Sequence, residues 1–265
     1  MAVPFLEAQL SNLPNRFRIG EDGTGIDAPP GAYEALEMAV SAPQEVINTN
    51  ADADTARFIR VYRTLSGMMN FGGDRGSADQ ILSLMVRARD GEVPSMYGDA
   101  RSDFFRDMDR VLRDLNKGDN VYGSRVAQDV QLLADTLLAA GYSPEGTINR
   151  VEEYLDQNFV RFGRGDRRSY VTRPRNVEDR VFRNVMNWGI ERLVEETSIA
   201  RMFAPGQDIE DNVGRDPDDF TIINGAGEQE FILYDLANDE PVAPVHWEDV
   251  FDLYAQDHPE DYEAA

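Results

Sequence analysis

The chain has 265 residues and no cysteine, which excludes disulfides, thiolate nucleophiles and cysteine metal sites. Its 49 acidic residues outnumber 26 basic ones and give a formal net charge of -23, and only His246 and His258 could serve a histidine-based catalytic or zinc site. No window predicts a membrane span and the N-terminus lacks the pattern of a signal peptide, so we expect a soluble protein with no membrane partner.

The first 32 residues are rich in proline, glycine and asparagine and show little hydrophobic periodicity. Turn-forming residues recur through residues 21–33, which favours an extended conformation over a helix. We therefore predict an extended N-terminal arm over residues 1–32 that lies on its own chain or on a neighbouring copy.

Residues 33–204 carry apolar side chains at helical spacing and are predicted to form a helical domain. The predicted helix starts and ends are marked by capping residues: Ser77 with Gln80 and Ser143 with Pro144 at two starts, and Gly91, Gly118 and Gly141 at three ends. Five or six amphipathic helices joined by short connections predict a compact helical bundle.

The composition changes after residue 204. Residues 205–265 contain 18 acids and one base, Arg215, and so carry a net charge of -17. Two β-rich runs flank the turn sequence at residues 224–229, which predicts a β-hairpin. A short helix should follow, with one apolar face formed by Trp247, Val250, Phe251 and Tyr254. We therefore predict a mainly α fold with an acidic tail over 205–265 that holds this hairpin and helix.

Two stretches of the sequence resemble ligand-binding motifs, but neither matches its motif in full. The glycines of residues 20–25 do not match a phosphate-binding loop and follow no predicted strand. Oxygen ligands alternate as in an EF-hand at Asn48, Asn50, Asp52 and Asp54. However, Ala53 and Ile59 stand where that loop needs glycine and a bidentate glutamate. We interpret Asp52 or Asn50 as the cap of the next helix, and we predict neither a metal nor a cofactor.

No catalytic set stands out in the sequence. With 49 acids many carboxylate pairs are available, so no single pair is indicated. His246 stands alone near a helix start, where a histidine usually caps or packs. We predict no catalytic residue and no enzyme, with a carboxylate-based hydrolase as one alternative.

An arginine-rich segment at residues 161–183 contrasts with its acidic surroundings. It carries a net charge of +5 from three acids and eight arginines, namely Arg161, Arg164, Arg167, Arg168, Arg173, Arg175, Arg180 and Arg183. Nucleic acid is one possible partner, with Phe162 and Tyr170 stacking on bases, although the acidic remainder of the chain would repel a polyanion.

Carboxylates are the partners that we favour for this segment, because arginine pairs with them in bidentate geometry. The acids could come from the same chain, as a clamp between the helical domain and the tail, or from another copy. The predicted acidic contact residues are Asp208, Glu210, Asp211, Asp216, Asp218 and Asp219.

With its arm, hairpin and acidic tail, the chain resembles minor structural proteins of tailed viruses, which build rings and connectors through arms and hairpins. The resemblance implies a head, connector or tail component, cytoplasmic or assembled into a virion. We therefore expect a structural or assembly protein that binds copies of itself and other structural proteins. A nucleic-acid-binding module that uses residues 161–183 is the second alternative.

Overall fold

The computed structural model describes residues 10, 12–69, 74–96, 98–119, 121–162, 168–172, 177–202, 216–225 and 230–259. The chain divides into two compact units: the first holds Met1–Met108 and Arg125–Tyr154, and the second holds Asp109–Ser124 and Leu155–Ala265. These divisions fall within helices and do not coincide with the composition changes after residues 32 and 204.

The first unit is built mainly from helices. They are α1 (Ala32–Ser41), α2 (Gln44–Asn50), α3 (Ala53–Met68), α4 (Arg75–Arg89), the first part of α5 (Asp99–Leu115), and most of α6 (Val121–Ala139) and α7 (Pro144–Asn158). A 3₁₀ turn (Leu13–Arg16) and the two-residue antiparallel strands β1 (Arg18–Ile19) and β2 (Ile26–Asp27) precede them. Within the described ranges, no helix has the length and apolar character needed to cross a bilayer.

The N-terminal segment contributes to the core of the first unit. Leu13 and Phe17 are fully buried. The Phe17 ring stacks on Phe58 with the centroids 6.1 Å apart, and it meets Tyr33 edge-on at 5.5 Å. Residues near the start of the chain therefore help to hold α1 and α3 together.

Asp52, one of the two predicted caps of α3, is confirmed, whereas the predicted cap of α4, Ser77, is wrong. The Asp52 carboxylate accepts hydrogen bonds from the backbone N–H groups of Asp54 and Thr55, both at 3.0 Å. Helix α4 begins at Arg75, two residues before Ser77, because Asp74 is its N-cap and accepts the Ser77 N–H at 2.9 Å. The Ser77 hydroxyl also donates to Asp74, so this serine lies inside the first turn and supports the cap.

The glycine stop signals and the Ser143 start signal are confirmed. Gly91 and Gly141 adopt positive φ and close the paired hydrogen bonds of a Schellman motif after α4 and α6. Gly118, with φ of 74°, follows the end of α5. The Ser143 hydroxyl accepts the Gly146 N–H at 3.0 Å at the start of α7.

As far as the structure describes it, the second unit contains the end of α5, the start of α6 and the end of α7, together with two further helices and five strands. Its helices are α8 (Asp179–Met202) and α9 (Trp247–Asp257), and its strands are β3 (Phe159–Phe162), β4 (Ser169–Thr172), β5 (Phe220–Asn224), β6 (Glu230–Asp235) and β7 (Glu240–His246). Short 3₁₀ turns lie at Lys117–Asp119 and Pro217–Asp219. The protein is therefore mostly helical, with a C-terminal three-stranded antiparallel sheet of order β5-β6-β7 and a short helix.

The predicted hairpin is confirmed as β5 and β6, which pair from Phe220 with Asp235 to Asn224 with Phe231. Sequence analysis missed β7, which pairs with β6 although it contains Pro241 and Pro244. Proline disrupts a strand pattern, but an edge strand tolerates it because its outward N–H groups need no ladder partner.

Phe182 on α8 lies at the centre of the core of the second unit. Its ring centroid is 5.0 Å from Trp247 of α9, 5.6 Å from Phe231 of β6 and 5.6 Å from Phe162 of β3. One aromatic side chain thus contacts both sheets and the C-terminal helix.

Helices α8 and α9 approach each other closely at Gly189. A Cβ atom placed there would lie 2.6 Å from Cγ1 of Val250, which is closer than real Cβ contacts. The missing side chain therefore permits this packing.

We expect Gly189→Ala to lower the free energy of unfolding of the second unit by about 1–3 kcal/mol, since the added methyl group overpacks the contact. Urea unfolding would measure the change, followed by tryptophan fluorescence for the second unit, which holds both Trp188 and Trp247, and by far-UV circular dichroism for the control. Gly67→Ala is the matched control, because Gly67 also lies in a helix but has open space around it, and it should stabilise α3 by up to about 1 kcal/mol. Equal effects of the two variants would contradict the close contact.

Candidate functional site

Part of the arginine-rich segment forms a β-hairpin. Strands β3 and β4 pair antiparallel, from Phe159 with Thr172 to Phe162 with Ser169. Phe162 and Tyr170, the two rings expected to stack on bases, are both buried. Sequence analysis missed this hairpin, whose strands are only four residues long and carry arginines at or next to their ends. The β-rich runs on either side, Phe-Val-Arg-Phe and Ser-Tyr-Val-Thr, were the signal that could have revealed it.

The structure places four of the eight predicted arginines. Arg161 is exposed on β3, Arg180 and Arg183 are exposed near the start of α8, and Arg168 is partly buried at the start of β4. The other four lie outside the described residues: Arg164, Arg167, Arg173 and Arg175.

Arg168 forms an ion pair with Asp114 in the last turn of α5. Its Nε lies 3.5 Å from Oδ2 of Asp114, and the two side chains are only 15% and 5% exposed. The Lys117 ammonium donates to the backbone carbonyl of Arg168 at 2.8 Å. Asp114 lies outside the acidic set predicted from the sequence, since the two partners are far apart in the chain.

Burial raises the pKa of Asp114 above its ordinary value, because desolvation disfavours the carboxylate. The nearby charges of Arg168 and then Lys117 act in the opposite direction and favour ionisation. The ion pair therefore offsets a desolvation cost that Asp114 would otherwise bear alone.

The Asn224 side chain joins the arginine-bearing hairpin to the three-stranded sheet. Its Oδ1 accepts the Thr172 N–H at 2.7 Å and the Thr172 hydroxyl at 3.0 Å. Its Nδ2 donates to the Tyr170 carbonyl at 2.9 Å. Asn224 is only 4% exposed, so its amide acts as a substitute peptide group between β4 and β5 in a dry environment.

A second buried bridge runs parallel to the first. The Ser169 hydroxyl donates to the Ile222 carbonyl at 2.8 Å and lies 2.9 Å from the Thr221 hydroxyl. Ser169 and Thr221 are both buried. The two bridges tie β4 to β5 through side chains, with no charged group involved.

As with the arginines, the structure describes only half of the predicted acidic residues. Asp208, Glu210 and Asp211 lie outside the described residues, whereas Asp216, Asp218 and Asp219 are placed. The exposed Asp216 carboxylate accepts the Asp218 N–H at 3.0 Å and caps a 3₁₀ turn. The backbone carbonyl of Asp219 accepts the Leu236 N–H at 2.8 Å. Pairing of these acids with the arginines stays a prediction.

Helix α9 carries an acidic face that the sequence analysis did not single out. Glu248, Asp249 and Asp252 are exposed there beside Leu253, which is 53% exposed. These four side chains fall on the side of the helix opposite its buried residues. The face combines a large exposed apolar side chain with three carboxylates.

The two histidines lie at the ends of the same helix. His246 occupies the N-cap position of α9, but its side chain makes no capping hydrogen bond. The His258 ring stacks on Tyr254 with the centroids 4.3 Å apart. In the part of the chain that the structure describes, no three acidic or imidazole side chains are grouped as metal ligands.

No family model, curated protein or solved structure matches this chain. Function is therefore inferred from two features of the second unit. One is the hydrogen-bonded junction of β4 and β5, and the other is the set of exposed charges on β3, α8 and α9.

We expect Asn224→Leu to lower the free energy of unfolding by about 2–4 kcal/mol, because it leaves the Thr172 N–H and the Tyr170 carbonyl buried without partners. Hydrogen exchange should show faster exchange at the Thr172 amide. Asn187→Leu, at an exposed position of α8, is the matched control and should change stability by less than about 0.5 kcal/mol. Unchanged protection of Thr172 in Asn224→Leu would refute the proposed role of the amide.

A separate prediction concerns Arg168. We expect Arg168→Ala to lower the free energy of unfolding by about 2–3 kcal/mol near neutral pH, since it leaves the Asp114 carboxylate without its ion pair. The loss should shrink as the pH falls through the raised pKa of Asp114, because the protonated carboxyl no longer needs a cation.

Urea unfolding at about pH 7 and about pH 4 would test this prediction. The double variant Arg168→Ala with Asp114→Asn should recover part of the loss at the higher pH. Arg106→Ala, which removes an exposed partner of Asp103, is the control and should have little effect. A loss that is the same at both pH values would contradict the role of Asp114.

Proposed function

We propose that the protein is a structural or assembly protein that works through protein–protein contacts and forms a homo-oligomer. Its resemblance to minor structural proteins of tailed viruses favours, within this proposal, a role in a virion head, connector or tail. There it would also bind other structural proteins.

The observation that carries the proposal is the exposure of opposite charges on one unit. Arg161, Arg180 and Arg183 are exposed on β3 and α8, within a segment whose sequence carries a net charge of +5. The acidic face of α9 belongs to the same unit. Complementary charged surfaces of this kind guide two copies into one orientation.

The exposed Leu253 supports a protein partner for the acidic face. A contact between proteins needs apolar area at its centre, and charges alone at the rim contribute orientation more than affinity. Leu253 lies beside Asp249 and Asp252 and supplies such an apolar group. A head-to-tail contact between the arginines and this face would close into a ring if the rotation between copies permits.

The junction of β4 and β5 supports the proposal in a different way. Because neutral groups of Asn224, Ser169 and Thr221 hold the arginine-bearing hairpin in place, the exposed guanidinium of Arg161 is not needed for that task. The hairpin can therefore present charge to a partner from a fixed position.

The proposal retains two features predicted from the sequence, the compact helical bundle and the extended N-terminal arm over residues 1–32. Burial of Leu13 and Phe17 in the first unit supports the alternative in which the segment lies on its own chain. Nucleic acid is less favoured as a partner, because the buried rings of Phe162 and Tyr170 are not accessible for stacking on bases.

We expect the purified protein to form oligomers that weaken when salt is raised from about 50 mM to about 500 mM, since salt screens charges at exposed contacts. Sedimentation velocity over a range of protein concentrations would measure this. Arg180→Glu with Arg183→Glu should weaken association at least about tenfold by placing like charges in contact. Adding Asp249→Arg with Asp252→Arg to that variant should restore it.

The control is Arg106→Glu, which reverses an exposed charge of the first unit and should leave association unchanged. A monomer at every concentration and salt would overturn the proposal. Oligomers that ignore both charge reversals would overturn the assigned surfaces.

A further inference from the structure

The first unit contains an open cavity of about 430 Å³ that the proposed assembly role does not use. Its walls come from the N-terminal 3₁₀ turn and from α3, α4 and α6. The lining is mixed: its apolar side chains are Pro14, Phe58, Met85, Ala88 and Leu132, and its other side chains are polar or charged. A cavity of this size is large enough for a small molecule whose body contacts the apolar groups and whose polar end is oriented by the others.

Most charged groups around the cavity already have partners. The Asp52 carboxylate accepts two backbone N–H groups and the Thr55 hydroxyl as the cap of α3. Asp54 accepts a hydrogen bond from Arg57 at 3.0 Å. These two carboxylates are therefore committed to holding α3.

The two arginines of the lining are committed as well. Arg57 Nη2 also donates to Gln128 at 2.6 Å. Arg89 donates to the Pro14 carbonyl at 2.5 Å and forms an ion pair with Asp90. An anionic ligand would therefore have to displace existing contacts of both guanidinium groups.

Asp135 differs from the other charged groups of the lining. It lies half-buried on α6 and accepts one hydrogen bond, from Gln131 Nε2 at 3.0 Å. Among the described residues it forms no ion pair. Burial raises its pKa above the ordinary value and only the Gln131 hydrogen bond opposes this. The cavity thus contains a partly desolvated carboxylate that has no ion-pair partner within the described part of the chain.

We propose that this cavity binds a small organic ammonium ion, with the ammonium group on the Asp135 carboxylate and a short apolar body against Phe58, Ala88 and Leu132. The ammonium would donate to the Asp135 oxygen that Gln131 leaves unbonded, in a charge-assisted hydrogen bond. Its alkyl or aryl part would replace water on the apolar wall. Binding would supply the counter-charge that the side chains around Asp135 do not.

The chemistry of the lining disfavours a metal ion here. A hard divalent cation requires several oxygen ligands that converge on one point. Two of the three lining carboxylates, Asp52 and Asp54, already accept hydrogen bonds that fix α3. A single carboxylate beside an apolar wall suits an ammonium group better.

The test is a titration of the full-length protein with butylammonium in an amine-free buffer, followed by two-dimensional amide NMR. We expect saturable shifts at residues that line the cavity. The uncharged isostere 1-butanol and the anion butyrate should each bind at least about tenfold more weakly, since neither carries a positive charge to pair with the Asp135 carboxylate.

Asp135→Asn keeps the size of the side chain and removes its charge, and should weaken butylammonium at least about tenfold. Glu145→Gln removes an exposed carboxylate elsewhere in the first unit and is the matched control, with no expected change. Ala88→Leu places a larger apolar side chain in the lining without altering any charge, and it should also weaken binding. The amide spectrum of each variant without ligand shows whether it folds.

Absence of saturable shifts in the folded wild-type protein would overturn the proposal. Equal binding of butylammonium and 1-butanol, or unchanged affinity in folded Asp135→Asn, would overturn the role of the carboxylate. Shifts at the same residues on adding Ca²⁺ or Mg²⁺, with none on adding butylammonium, would replace the ammonium ligand by a metal. None of these outcomes depends on the oligomeric state, so the cavity and the assembly proposal can fail separately.

Discussion

The second unit depends on the way a buried amide completes the hydrogen bonding of strand β4. Strand β4 pairs with β3 on one side, and on the other side the Asn224 side chain bonds to Thr172 and Tyr170 where a further strand would pair. An unpaired strand edge in a dry core would cost the desolvation of each N–H and carbonyl. The amide removes that cost because it carries both a donor and an acceptor in peptide-like geometry. The arginine-bearing hairpin and the C-terminal sheet therefore belong to one hydrophobic core.

This junction explains why the placed arginines of the segment differ in exposure. Since uncharged groups hold the hairpin, Arg161 remains at the surface, while Arg168 alone among the placed arginines of the segment is drawn inward to a buried carboxylate. The same contrast appears in the first unit. There Arg60 makes a bidentate contact with the buried Asp129, with hydrogen bonds of 2.5 and 3.0 Å, whereas Asp135 has no such partner among the described residues. At Asp114 and Asp129 an arginine partner compensates the burial of the carboxylate. Asp135 has no ion-pair partner among the described residues, and this distinguishes the cavity.

Local signals in the sequence predicted the parts of the fold that local physics controls. The Asp52 cap, the Ser143 cap and the glycine stops at Gly91 and Gly141 each act within a few residues, and all were predicted correctly. The α4 start was misplaced because Asp74 and Ser77 both cap well, and the pattern alone does not show which of them lies outside the helix. Strand β7 was missed because its prolines are acceptable only at an edge, and the edge is a property of the assembled sheet.

By itself, the sequence determined the helical character, the β5–β6 hairpin, the short C-terminal helix and the separation of a +5 segment from a -17 tail. Only the tertiary structure decided which charges are buried and which are exposed. The Lys117 contact with Arg168 spans 51 residues and the Asn224 contact with Thr172 spans 52. Neither contact is therefore predicted by a local periodic pattern in the sequence. The physical reason is that solvation and pairing of a charge depend on neighbours in space, and these become neighbours only when the core forms.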